Sequence, residues 1–148
     1  MRHRHSAFTL VELLIVIVAL AIIAGMVVPQ FGESLEDAKR SAVLNDLHEL
    51  NSAIERYRIQ HDGYPPDDLS GSTLKQLTMS TDIYGDTGRG AAYPLGPYMV
   101  MGIPENPYNG SSRVILAPEV PPESPEKYEG WLYDPDTGQF WAGDAKGK

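Results

Sequence analysis

"SAFTLVELLIVIVALAIIAGMVVP", Ser6–Pro29, holds an apolar run, Phe8 to Val28, of 21 residues with a single charge, Glu12. As an α-helix that run is about 31 Å long at ~1.5 Å per residue. This matches the ~30 Å hydrocarbon core of a bilayer. It is longer than a helix buried in a small soluble domain needs, so residues 8–28 are expected to be a transmembrane segment. A carboxylate at the centre of such a segment costs about 2.5–3.5 kcal/mol on insertion scales. Glu12 lies only four residues past Phe8, within reach of the interface. Ionisable groups inside apolar spans usually carry function, which makes Glu12 the first candidate residue.

The flanks narrow the reading. "MRHRHSA", Met1–Ala7, puts Arg2 and Arg4 before the run, which keeps that end cytoplasmic and sends the rest across. A secretory signal peptide would carry its small-residue cleavage site after a shorter apolar stretch. Here the small residue, Ala7, stands before the run. A cut at Ala7–Phe8 would fall on the cytoplasmic side and leave the apolar segment on the mature chain.

A short basic leader, a small residue, "FTLVEL" and a long apolar run, in that order, resemble the class III signal of type IV pilins and type II secretion pseudopilins. The resemblance implies that residues 1–7 are a leader removed by a dedicated prepilin peptidase, which also methylates the new amine of Phe8. It implies that Glu12 meets the terminal amine of a neighbouring subunit and sets filament register. Unpaired in a low-dielectric core, that carboxylate would penalise a misplaced neighbour. It further implies that Gly25 and Pro29 mark a helix bend, in keeping with proline's missing N–H and its clash with the carbonyl four residues back. Ala7 departs from the family's usual glycine, a mild change that predicts slower processing.

Beyond Pro29, apolar residues recur at Phe31, Leu35, Ala38, Ala42, Val43, Leu47, Leu50, Ile54 and Tyr57. Steps of three and four predict a helix with one buried face over 29–61. "HDGYPP" ends it, with Gly63 as the cap and Pro65 barring continuation. From Gly63 onward lie eleven of the twelve prolines and twelve of the fourteen glycines. Residues 62–148 are therefore expected to form a loop-rich head, which the charge bias at the amino end would place in the periplasm. Leu69, Leu74 and Leu77 are expected to pack a short helix or turn on the stalk. "YEGWLY", 128–133, and "QFWA", 139–142, predict a hairpin around the turn "DPDTG". "PYMVM" and "RVILA" are its expected antiparallel partners. "PEVPPESPE", 118–126, predicts an exposed loop without strand structure. The fold class is α+β: a long N-terminal helix packed on a small antiparallel sheet, type IV pilin-like.

Twelve basic and twenty acidic side chains give a net charge of -8, the wrong sign for a general nucleic-acid binder. The chain lacks cysteine, so disulfides and thiolate metal sites are excluded. Asp134, Asp136 and Asp144 are oxygen donors that could serve calcium, the one cofactor the sequence raises. They lack the spacing of a complete calcium loop, and turn residues bonding to their own backbone explain "DPDTG" more simply. His48 and His61 read as surface residues. No nucleophile elbow, phosphate loop or zinc signature is present, so the expectation is a structural protein and not an enzyme.

The resemblance, most like the major pseudopilin, implies a subunit that polymerises with itself. Its implied partners are prepilin peptidase, an inner-membrane platform protein, an assembly ATPase, minor pseudopilins and the lipid bilayer. Two rival readings stand beside it: a type IV pilin for adhesion, motility or DNA uptake, and a bitopic anchor with a ligand-binding or enzymatic head. The first fits less well without the carboxy-terminal disulfide common in large surface pilins. The second would leave Ala7–Phe8 uncut.

Overall fold

A computed structural model describes residues 9–144, and their side chains except over 27–33. Two compact units divide at Ala38 and Lys39. One helix, α1 (Leu10–Gln60), contributes to both, and its backbone stays helical through Gly25 and Pro29. The leader, Ala7 and Phe8 lie outside the described residues.

In the second unit the predicted stripe becomes the core. Val43, Leu50, Ala53, Ile54 and Tyr57 are buried, with Leu47 partly so. Leu35 and Ala38, at the start of the predicted stripe, are exposed instead. The helix ends in two left-handed residues, Asp62 (φ 54°) and Gly63 (φ 84°). The Gly63 N–H closes on the Arg58 carbonyl at 2.8 Å, and the Arg58 guanidinium returns to the Gly63 carbonyl at 3.0 Å. The first bond satisfies a carbonyl that the last turn leaves without a helical partner, and the second ties the residue after the helix back to it.

A one-turn helix, α2 (Lys75–Thr78), follows, with Leu74 and Leu77 buried against the α1 stripe and Leu69 partly buried. Strands β1 (Ser80–Thr81) and β2 (Thr87–Gly88) form a small antiparallel pair. The main sheet has three strands, β3 (Val114–Leu116), β4 (Trp131–Asp134) and β5 (Gln139–Ala142), in that order. The β4–β5 hairpin is antiparallel, as its turn chemistry predicts. Trp131 and Tyr133 enter the core cluster, while Leu132, alternating to the other face, is buried outside it. Trp131 donates its indole N–H to the Pro104 carbonyl and Tyr133 its hydroxyl to the Pro66 carbonyl, both at 2.8 Å.

Two expectations for the sheet need correction. "RVILA" does supply a strand, but β3 runs parallel to β4. Parallel neighbours need a connection of a dozen or more residues, and the 14 residues between Leu116 and Trp131 provide it. "PYMVM" forms no strand: the Tyr98 and Met99 N–H groups both bond the Leu77 carbonyl at 2.9 Å, and Pro97 has no N–H to offer a ladder. The proline-rich segment 118–126 is exposed as expected, apart from partial cover at Pro122, Ser124 and Pro125.

Candidate assembly segment

Every described side chain from Thr9 to Met26 is exposed. None of the large apolar ones falls below 49 % exposure, and Leu10 reaches 83 %. A helix that is apolar on all sides finds its partners in lipid or in other helices, not in a one-sided core. Among the described residues no helix is long and apolar enough to cross a membrane. The described apolar side chains stop at Met26, and the sequence carries the run on through Val28.

At the head of this helix the structure brings Glu12 and Thr9 together. The Glu12 carboxylate accepts the Thr9 backbone N–H at 2.9 Å and the Thr9 hydroxyl at 2.8 Å. The Glu12 N–H in turn donates to the Thr9 hydroxyl oxygen at 3.2 Å. This reciprocal arrangement is a capping box, which satisfies helix-end donors that have no intrahelical acceptor. It also sets a negative charge at the positive end of the helix dipole. The sequence reading missed Thr9. Its signal was there in "TLVE", a threonine three residues before a glutamate at the start of an apolar run.

The other candidates are placed as follows. Among the described residues, nothing beyond its own stretch of helix would meet a Cβ built on Gly25 within 4 Å. Asp134 and Asp136 sit in the β4–β5 turn, while Asp144 follows β5 at the opposite end of the hairpin. Among the described residues no group of three or more His, Cys, Asp or Glu side chains converges as metal ligands.

His48 is exposed as expected, but His61 is not. It is buried at the end of α1, stacked on Tyr57 with ring centroids 3.7 Å apart. Its Nδ1 faces the Tyr57 carbonyl at 2.8 Å, and its Nε2 faces the Asp82 carbonyl at 2.9 Å and the Thr81 hydroxyl at 3.1 Å. A helix terminus followed by glycine and prolines reads as surface, yet β1 folds back over it. Beside it an open cleft is lined by Tyr57, His61, Tyr64, Asp67, Tyr84 and Asp136. Burial, with Asp67, Tyr98 and Asp82 nearby, pushes the Tyr57 phenol up to about 12. Both ring nitrogens of His61 are engaged in holding the end of α1 to β1 and the residue after it.

A methylation-type amino terminus, an apolar helix segment exposed at every described side chain from Thr9 to Met26 and a small α+β head define a pilin-class subunit. Residues 2–28 match the prokaryotic N-terminal methylation motif. The type II secretion system core protein G of Klebsiella pneumoniae is 31 % identical over 115 residues, 78 % of this chain and 76 % of that one. Its counterpart from Pectobacterium carotovorum subsp. carotovorum is 29 % identical over 116 residues, 78 % and 69 % of the two chains. That of Dickeya chrysanthemi is 26 % identical over 137 residues, 92 % and 81 %. No solved structure gives a significant match. The chain belongs to the type II secretion system core protein G family, the major pseudopilins.

Proposed function

We propose that this chain is the building block of a type II secretion pseudopilus, polymerising through its N-terminal helix to drive export of folded periplasmic proteins. The observation that carries the reading is the all-round exposure of Leu10–Met26, an apolar stretch whose one charge, Glu12, stands in its first turn. Such a surface needs lipid before assembly and neighbouring helices afterwards. In this reading prepilin peptidase removes residues 1–7 and methylates Phe8. The subunit waits in the inner membrane with its amino end cytoplasmic and its head periplasmic. A platform protein and an assembly ATPase then lift it into a filament begun by minor pseudopilins. Glu12 pairs with the Phe8 amine of a neighbour, and Gly25 and Pro29 let the helix bend as it packs. The chain's role is mechanical and it catalyses no reaction.

The amino-terminal mass of protein purified from cells holding the peptidase tests this. A chain beginning at Phe8 and carrying one added methyl group is expected. A chain that keeps residues 1–7 would overturn the reading.

A further inference from the structure

Calcium is the cofactor that the sequence raises through Asp134, Asp136 and Asp144, and that donor set does not fit it. Asp134 pairs with Gln139 next to the turn, whereas Asp144 lies beyond the Trp131–Ala142 pair at the open end. The intervening ladder alone spans about 10 Å at ~3.3 Å per residue, and Asp144 lies two residues beyond its end. One ion drawing six to eight oxygens to ~2.3–2.6 Å cannot take ligands from both ends. Asp134 is also engaged within its own turn. One carboxylate oxygen accepts the Asp136 N–H at 3.1 Å and the other the Thr137 hydroxyl at 2.5 Å.

The open end of the hairpin is held by side-chain amides instead. The carbonyls of Gly130, just before β4, and Gly143, just after β5, converge on Asn106, which is 0 % exposed. The Asn106 amide nitrogen donates to them at 2.6 and 2.7 Å, and its oxygen accepts the Tyr108 N–H at 2.9 Å. Asn109 adds a second link. Its nitrogen donates to the Gly143 carbonyl at 2.9 Å, and its oxygen accepts the N–H groups of Gly130 at 3.1 Å and Ser111 at 3.3 Å. Inward-turned carbonyls are the kind of partial negative charge that draws a hard cation. Here amide hydrogens fill that position, and each amide oxygen already has its donor.

We propose that Asn106 and Asn109 form a metal-free clamp that closes the β4–β5 hairpin, so that the carboxy-terminal part of the head folds without a divalent cation. The inference rests on the hairpin alone and holds whichever filament the chain builds. The test is thermal unfolding of the full chain in detergent micelles, followed by the fluorescence of buried Trp131. Runs are made in millimolar calcium chloride and in the chelator EGTA, beside a direct calcium-binding titration. The wild-type midpoints should agree within ~1 °C and the titration should show no binding. Asn106→Ala should lower the midpoint by roughly 5 °C or more in both conditions, because it removes one donor from each of two carbonyls and the acceptor of the Tyr108 N–H. Asn106→Asp should be destabilised as well, and calcium should stabilise that variant, since a carboxylate would join the two carbonyls as a ligand. A wild-type midpoint that falls by several degrees in EGTA overturns the proposal, as does Asn106→Ala melting with the wild type. If Asn106→Ala does not fold, the wild-type comparison alone decides.

Discussion

Glu12 has two partners to choose between. In the single chain it closes the capping box with Thr9. In the proposed filament it faces a neighbour's Phe8 amine. Removing the leader at Ala7–Phe8 leaves both Thr9 and Glu12 in place, so the cap would hold the carboxylate until that amine arrives. Glu12→Ala is expected to insert in the membrane at least as well as the wild type, because a desolvation cost disappears. It strands the neighbour's amine, and breaking a buried pair costs about 3–5 kcal/mol. Secretion should therefore fail in a complementation assay while a membrane-fraction immunoblot stays normal; wild-type export would reduce Glu12 to a tolerated side chain. Thr9→Ala removes only the cap, worth about 1 kcal/mol, and should lower export without abolishing it. Ala7→Phe should leave an uncut, longer chain on the same immunoblot, and normal processing would discard this cleavage site.

At the scale of elements, the second half of α1 is a packing surface and the first half is not. Ile54 is buried, and a Cβ added to Gly138 in the hairpin turn would come within 3.0 Å of its Cγ2. Gly138 also holds φ at 75°, a conformation that favours glycine. Ile54→Ala should cost about 2–5 kcal/mol in denaturant unfolding of the head. A loss below that range would mean that α1 and the hairpin do not bury each other. Because the core cluster runs only from Val43 to Phe140, residues 30–148 should fold as a soluble monomer without the apolar segment. An unfolded circular dichroism spectrum, or filaments formed by this fragment unaided, would contradict the division of labour between the two halves of the helix.

For the whole molecule, the buried tyrosines set an alkaline limit. Burial first, then nearby acidic and phenolic groups, raises the Tyr57 phenol from 10.0 to about 12. Burial pushes Tyr133 up as well, with Asp134 next in effect. An unfolded phenol gives up its proton near pH 10, so above that value the unfolded chain binds fewer protons than the folded one. The stabilisation is complete below about pH 10 and is lost as pH rises through about 12. Tyrosinate absorbance and circular dichroism should therefore change together in that window. Ionisation of all eight tyrosines near pH 10 with the fold intact would show that the phenols are not buried.

The sequence alone determined what depends on neighbours along the chain. The methylation-type motif over residues 2–28 was legible because helix length and charge placement are local quantities. The 43–57 stripe was legible because burial of one helix face leaves a period in the residues. The β4–β5 hairpin was legible because its turn is written in five consecutive residues. Tertiary structure decided the rest. The direction of β3 depends on where a 14-residue connection delivers the chain, and strand alternation is the same either way up. His61 is buried because β1, twenty residues on, folds over it. Asn106 reaches Gly143 across 37 positions, a partnership with no periodicity to betray it. Such contacts form only once the core has fixed the loops, so local pattern carries no trace of them.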